Sequence, residues 1–214
     1  MNGGASLELD RAAVSILNPL IFPLVPPEAR DPIMILWKLN SHLSAMARGG
    51  REAMLRLIKL RWWADQLDAL DDAVIVSDPL LTSVQHGLLP HVDSGELSAL
   101  AQAWMAAVDD GSTSESWEHG ALLFTMTGQL LGESRAELAD FGRLWAMLDH
   151  AMANDQQAAE WSEIRHFKQD LRSVTRPRSI AALSGLVGHV IGQYGARQPI
   201  REQLCIFRIG LFGR

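Results

Sequence analysis

The chain has 214 residues, a formal net charge of −6 at pH 7, and 48% hydrophobic against 21% charged residues. This composition is typical of a globular protein with one sizeable core and excludes a disordered chain, and the acidic balance argues against binding to nucleic acid. The single cysteine, Cys205, excludes an internal disulfide and a metal cluster built on cysteines.

Helical patterns follow one another from the N-terminus. The first begins near Leu7 and stops before Pro19. The second begins in the turn after Pro27 and continues to the breaker pair Gly49 and Gly50.

The later helices are separated by caps and glycines. Ser77 or Asp78 is expected to cap a helix that has Pro79 in its first turn, and Ser94 starts the next helix. Gly132 divides two further helices. The predicted segments are 51–70, 77–89, 94–110, 112–132, 134–155, 176–195 and 199–213.

Strand signals are almost absent. The β-branched run at residues 72–78 is too short and isolated to build a sheet. We therefore predict an all-α fold in a single domain that spans residues 1–214, with a flexible start at residues 1–9. The acidic N-terminus does not fit a signal peptide, and no apolar run approaches the roughly 20 residues of a transmembrane helix, so a cytoplasmic location is expected.

The segment LRLIKLRWWADQLDALDD, residues 55–72, carries a row of carboxylates: Asp65, Asp68 and Asp72 follow one another at helical spacing. Arg61 and Asp65 form an i,i+4 pair, so one interpretation is a solvated, salt-bridged flank. The other is a magnesium site facing a cavity, because Mg²⁺ prefers oxygen ligands. The spacing by itself favours the flank. The apolar stripe expected beside this row consists of Leu57, Leu60, Trp63, Ala64, Leu67 and Leu70.

Several segments, taken in order, resemble the squalene/phytoene synthase family. The double tryptophan of LIKLRWWADQLDAL, followed by DPLLTSVQHGLLPHVDSGELSALAQAWMAAVDD, is similar to a tryptophan-bearing helix of that family and the helices after it. FPLVPPEARDPIMILWKLNSHLS resembles the family's opening, and ALLFTMTGQLLG and ADFGRLWAML resemble two later helices. CIFRIGLFGR resembles the C-terminal end of a bacterial branch related to a mitochondrial complex I assembly factor. The resemblance covers residues 10–214 through loose motifs in a matching order.

The resemblance implies an isoprenoid-synthase fold, shortened, with helices around a prenyl-diphosphate cavity. Active members of the family use two aspartate-rich motifs and magnesium. Where the first motif belongs, this chain has LWKLNSHLSAMARGG with Asn40, and no carboxylate stands between Asp31 and Glu52. Where the second belongs, Asp149 and Asp155 are spaced i and i+6, which places them poorly for sharing one metal.

A prenyl diphosphate leaves as a highly charged anion, so its ionisation needs divalent cations or several donors. Arg48, Arg51 and Arg56 lie near the expected cavity and could hold one phosphate group, but not the whole transition state. With Arg61 and Trp62 they make up the predicted binding residues. Trp62 points away from the core stripe, toward a groove or a partner. We therefore expect no resident metal or cofactor.

Three functions remain open. The favoured one is a non-catalytic binding or assembly protein near the inner membrane, whose partner is a respiratory-complex subunit or its assembly machinery. The second is a magnesium-dependent prenyl transferase with a rearranged site, using Asp65, Asp68 and Asp72. The third is a carrier that holds an isoprenoid ligand without chemistry.

The C-terminal segment 197–214 is locally basic on an acidic chain. The favoured interpretation is a core helix whose basic end suits its own dipole. The alternative is peripheral contact with an anionic membrane surface. Its basic residues are Arg197, Arg201, Arg208 and Arg214, and its apolar face consists of Ile200, Leu204, Phe207 and Leu211.

Overall fold

The computed structural model describes residues 15–50, 52–72, 77–109, 117–134, 136–153, 178–192 and 201–206. Within these ranges all regular secondary structure is helical, which confirms the prediction of an all-α fold. The predictions for residues 1–9, for the β-branched residues 73–76, for Arg51 and for Asp155 lie outside the described residues.

From the turn after Pro27 onward the helices follow the predicted order, whereas residues 15–18, which the sequence placed at the end of an opening helix, form bends and turns. The α-helices are α1 (Pro27–Arg48), α2 (Ala53–Asp68), α3 (Pro79–Gly87), α4 (Ser94–Asp109), α5 (Glu118–Leu130), α6 (Glu137–Ala153), α7 (Arg178–Gly192) and the short α8 (201–206). Two 3₁₀ helices, Phe22–Leu24 and Ala69–Asp72, precede α1 and follow α2.

Side-chain caps fix where α3 and α4 begin. The carboxylate of Asp78 accepts hydrogen bonds from the backbone N–H groups of Leu80 (2.8 Å) and Leu81 (3.1 Å), so Asp78 rather than Ser77 is the N-cap of α3. Ahead of α4, the Asp93 carboxylate accepts from the N–H of Gly95 at 2.8 Å. The Glu96 carboxylate accepts from the Asp93 N–H at 3.4 Å, which completes a capping box.

Glycines end two helices, as the sequence predicts. Gly50 has a φ of 84° just beyond α1, and Gly132 has a φ of 73° just beyond α5. Beyond α5 the backbone N–H of Glu133 bonds the carbonyl of Gly128 at 2.8 Å, and the N–H of Gly132 bonds that of Gln129 at 3.0 Å. This is a Schellman motif, in which the left-handed residue has little steric strain only as glycine.

The described chain divides into two compact units. One consists of Met1–Pro27 and Leu144–Arg214, and the other of Glu28–Arg143. A single domain over residues 1–214 stays a prediction.

The unit Glu28–Arg143 has a core built from α1, α2, α4 and α5. The inward face of α2 carries Leu60, Trp63, Ala64 and Leu67, all buried. This face packs along α4, where the Ser98 hydroxyl donates to the Ala64 carbonyl at 3.0 Å. The predicted stripe is therefore confirmed, except that Leu57 at its start is half-buried.

Gly120 and Gly142 allow the backbones of α5 and α6 to come into direct contact. A Cβ placed on Gly142 would lie 2.6 Å from the carbonyl carbon of Gly120 and 2.9 Å from the Cα of Ala121. Both neighbours are backbone atoms, so neither can rotate away. The crossing therefore requires glycine at position 142.

In the unit Met1–Pro27 with Leu144–Arg214, helix α7 carries a buried face. Its buried side chains are aliphatic, and the 3₁₀ helix Phe22–Leu24 packs against it. The buried aliphatic residues of α7 are Ile180, Ala181, Ala182, Leu183, Leu186 and Val187.

Candidate functional site

Asp65 and Asp68 lie on the exposed side of α2. The guanidinium Nε of Arg61 contacts the Asp65 carboxylate at 3.0 Å, with side chains 65% and 57% exposed, and Asp68 is also exposed. The α-helix ends at Asp68, and Asp72 belongs to the following 3₁₀ helix, so the three residues do not share one α-helical row. Among the described residues, no group of three or more His, Cys, Asp or Glu side chains is arranged to hold a metal ion.

A further carboxylate of this segment, which lies between Asp68 and Asp72, supports the fold. Asp71 accepts a short hydrogen bond from the hydroxyl of Ser94, the first residue of α4. The amide nitrogen of Gln85 on α3 reaches the carbonyl of Leu70 at 3.5 Å. The 3₁₀ turn after α2 is therefore tied to both following helices.

Arg48 and Arg56, two of the predicted binding residues, lie where α1 ends and α2 begins. Arg56 donates from Nη1 to the carbonyl oxygen of Ala47 at 2.9 Å, which satisfies a carbonyl at the C-terminal end of α1. The guanidinium of Arg48 lies over the ring of Trp104, 5.1 Å from its centroid, at cation–π distance. These contacts hold the helices together. The predicted binding of a phosphate group by Arg48 and Arg56 stays a prediction.

Asn40 lies where the resemblance places the first aspartate motif. Its side chain belongs to a connected set of polar and aromatic contacts in the core. The side-chain oxygen of Asn40 accepts a hydrogen bond from the indole N–H of Trp104 at 2.9 Å, and Asn40 is 4% exposed. The Trp104 ring stacks on the ring of His119, with centroids 3.8 Å apart and planes 28° from parallel. All three side chains are buried.

A second indole bond lies one turn earlier on α1. Trp37 donates its N–H to the hydroxyl of Thr127 on α5 at 3.0 Å, and that hydroxyl donates to the Leu123 carbonyl at 2.7 Å. Phe124 packs edge-on against Trp37, with centroids 5.6 Å apart, and against Phe141 at 4.8 Å. Both tryptophans therefore satisfy their polar atom inside the core, as buried indoles usually do.

The face of α2 opposite its buried stripe is also apolar. Met54, Leu55, Ile58 and Trp62 are 67%, 52%, 57% and 48% exposed, and these four side chains form what we call the exposed apolar face of α2. They recur at i, i+3/i+4 and i+7/i+8, the spacing of one helical face. That spacing was visible in the sequence, but the stronger stripe of Leu60 and its neighbours concealed it.

Trp62, like Arg61, is a predicted binding residue that the structure leaves at the surface. Its ring meets that of Trp63 edge-on, with centroids 5.7 Å apart and planes 85° apart. Trp63 is buried and is itself contacted edge-on by the His42 ring at 4.6 Å. The exposed indole is therefore held on a rigid base, which suits a contact residue.

A groove of about 410 Å³ lies at the turn between α5 and α6. Two of the polar side chains that line it already bond the fold. The Gln129 amide donates to the His91 carbonyl at 3.1 Å, and the Thr125 hydroxyl donates to the Ala121 carbonyl at 2.9 Å. This turn groove is therefore a weaker candidate than the exposed face of α2.

The C-terminal prediction falls mostly outside the described residues. Residues 201–206 form a helix in which Leu204, expected on the apolar face of a core helix, is 64% exposed, whereas Glu202 and Ile206 are buried. In the part of the chain that the structure describes, no helix has both the length and the apolar character needed to cross a bilayer.

The comparisons with known proteins returned no relative: no family model, no curated protein and no solved structure matches the chain.

Proposed function

We propose that the chain is a non-catalytic member of the squalene/phytoene synthase family, with a shortened isoprenoid-synthase fold, and that it acts as a binding or assembly protein. The observation that carries this proposal is the bond between Asn40 and Trp104. In the resemblance, this stretch of α1 is where an active synthase needs carboxylates for magnesium. Here the inward polar group is a neutral amide engaged by an indole.

The surroundings of Asn40 support the same conclusion. The Trp104 ring stacks on the imidazole of His119, and the guanidinium of Arg48 lies at cation–π distance from the same ring. An aromatic and cationic environment of this kind does not attract Mg²⁺, which prefers several oxygen ligands. The α1 segment from Pro32 to Arg48 also contains no carboxylate.

The placement of Asp65 and Asp68 adds to this support. Both are exposed, and Asp65 is engaged by Arg61. A diphosphate held in open solvent would lack the water-excluded setting in which metal ions stabilise a leaving anion most strongly. We therefore assign these aspartates to the solvated flank of α2.

The proposal extends to partner and place. By the same resemblance, the partner is a respiratory-complex subunit or its assembly machinery, and the protein works in the cytoplasm at the inner membrane. No metal or cofactor is part of the proposed function.

The first test is an assay of diphosphate release from farnesyl or geranylgeranyl diphosphate with Mg²⁺, using the full chain and the double variant Asp65→Ala/Asp68→Ala. We expect both proteins to stay at the level of the buffer. Magnesium-dependent release by the full chain would overturn the proposal, and its loss in the double variant would establish the prenyl transferase instead.

The second test separates an assembly protein from a carrier. The tagged chain is purified from its native cells, and both bound proteins and extracted lipids are identified by mass spectrometry. We expect a reproducible protein partner at a stoichiometric level. A co-purified isoprenoid with no protein partner would show a carrier.

A further inference from the structure

His119 is a histidine enclosed in the core of the unit Glu28–Arg143. It stands in the first turn of α5, its side chain is 2% exposed, and both ring nitrogens, Nδ1 and Nε2, are shielded from solvent. Its ring stacks on the indole of Trp104 on α4, with centroids 3.8 Å apart. A proton from water therefore reaches either nitrogen only when the contact between α4 and α5 opens.

The neighbours of this stack hold it in place. Trp104 donates its indole N–H to the buried oxygen of Asn40 on α1 at 2.9 Å, so the indole cannot swing aside without losing that bond. The residue after His119 is Gly120, whose backbone meets Gly142 on α6. The start of α5 therefore has no room to move toward α6. Hydration of the imidazole requires α5 to separate from α4, which is a larger motion than the rotation of one side chain.

The basic groups around the stack oppose a second positive charge. The guanidinium of Arg48 on α1 lies 5.1 Å from the centroid of the same indole. The carboxylates of α1, Glu28 and Asp31, stand at its other end, at least about 25 Å from Arg48 along the helix axis. The first turn of α5 adds the positive end of the helix dipole, which also disfavours a cation at His119.

The carboxylates near the start of α5 are engaged elsewhere. Glu118 accepts hydrogen bonds from Nε and Nη2 of Arg143 on α6, and Asp140 accepts from Nη1 of the same guanidinium. On α4, Glu96 is the described acidic side chain, and it bonds the Asp93 N–H at the beginning of the helix. These carboxylates are therefore committed to the caps and to the junction of α5 with α6.

The indole and the burial act on His119 in opposite directions. A desolvated indole face favours a cation by roughly 30-fold. Removing a fully buried charge from water disfavours it by as much as about 10³–10⁵-fold. Burial therefore outweighs the stack, and the Arg48 charge and the helix dipole act in the same direction as burial.

We propose that His119 is an acid-sensitive switch, whose protonation separates α5 from α4. The neutral imidazole fits the stack, whereas the imidazolium needs water and has to leave it. A histidine in the opened or unfolded chain takes up its proton at about pH 6.5. Because the closed form excludes that proton, the stability contributed by the stack is fully present above this pH and is lost as the pH falls below it. The switch is independent of the proposed function.

The test is urea denaturation of the full chain between pH ~7.5 and ~5.5. Over this range the folding equilibrium constant should fall about tenfold further in the unaltered chain than in His119→Phe, since phenylalanine keeps an aromatic ring for the stack and binds no proton. His42→Phe is the matched control, because His42 also contacts a tryptophan, Trp63, but is exposed. The pH profile of His42→Phe should follow that of the unaltered chain.

A second measurement uses the unaltered chain and so remains decisive if His119→Phe does not fold. The imidazole resonances of the histidines are followed by nuclear magnetic resonance over the same pH range. The resonance of His119 should stay at the position of a neutral ring for as long as the chain is closed, and it should lose intensity as the chain opens.

Two results would overturn the proposal. One is a pH dependence of unfolding that is the same in the unaltered chain and in His119→Phe. The other is a His119 resonance that moves smoothly to the protonated position while circular dichroism shows a folded chain, because the stack would then accommodate the imidazolium.

Discussion

The side-chain oxygen of Asn40 and the indole N–H of Trp104 are joined by a buried hydrogen bond of 2.9 Å across 64 positions of the chain. Replacing Asn40 with leucine leaves the indole N–H without its acceptor inside the core. We expect a loss of about 1–3 kcal/mol in the free energy of unfolding, the usual cost of a stranded buried donor. Urea denaturation followed by circular dichroism measures it.

The double variant Asn40→Leu/Trp104→Phe provides the control for this loss. Removing both partners leaves no unpaired group, so the double variant should be more stable than the sum of the single losses predicts by about 1 kcal/mol. Strict additivity would show that the bond contributes nothing specific.

Gly142→Ala should strongly destabilise the fold. At an ordinary helical site this change raises stability by up to about 1 kcal/mol, because it lowers the entropy of the unfolded chain. At position 142 the new Cβ would strike the backbone of Gly120 and Ala121 and would force α5 and α6 apart. We therefore expect Gly142→Ala to lower the stability of the fold instead of raising it, and to lower the thermal midpoint of unfolding.

Gly87→Ala is the comparison for this site. A Cβ there meets only the end of the Ile35 side chain, which can rotate. Its effect on the thermal midpoint should be small. Equal effects at positions 87 and 142 would contradict the backbone contact between α5 and α6.

Asp78→Ala should lower the free energy of unfolding by about 1 kcal/mol, because two N–H groups at the start of α3 lose their acceptor. Ser77→Ala should change it by less than about 0.5 kcal/mol. The pair of variants is compared in urea. A larger loss at Ser77 than at Asp78 would show that the cap has been assigned to the wrong residue.

Arg143 joins the beginning of α5 to α6. It donates from Nε and Nη2 to the Glu118 carboxylate at 3.0 and 3.1 Å, and from Nη1 to the Asp140 carboxylate at 2.8 Å. These interactions raise the pKa of Arg143, chiefly through the hydrogen bond to Glu118. A raised pKa stabilises the fold at every pH below the ordinary arginine value, and the stabilisation is lost only as the pH rises through the higher value in the folded state.

Arg143→Gln should therefore lower the free energy of unfolding by no more than about 1 kcal/mol, since the groups are partly exposed. The loss should be the same between pH ~6 and ~9, where arginine stays charged. It should shrink between about 0.05 M and about 1 M NaCl, because salt screens exposed charges. A loss that grows with salt would rule out an ionic origin.

Local signals in the sequence predicted the elements of this fold well. The cap before α3, the start of α4 at Ser94, the glycine after α5 and the buried stripe of α2 each depend on residues a few positions apart. Interactions at that range leave a readable pattern. They were sufficient to predict the all-α class.

The interior could not be predicted in the same way. Asn40 stood out in the sequence only as a departure from an aspartate motif, and nothing near it indicated Trp104 as its partner. The contacts of the predicted arginines could not be read from the sequence either. The charge of Arg56 suggested a phosphate ligand, which stays a prediction, and the sequence did not indicate that Arg56 also bonds the backbone carbonyl of Ala47.

The two indole bonds of α1 also have a geometric consequence. Trp37 and Asn40 are three residues apart, and they bond to Thr127 on α5 and Trp104 on α4 respectively. A shift of α1 along its axis by one turn, about 5.4 Å, would break both hydrogen bonds at once. Packing of apolar side chains alone would tolerate many such shifts. The two hydrogen bonds therefore fix the register of α1 against α4 and α5. They select a single arrangement of the three helices rather than an ensemble of near-equivalent ones.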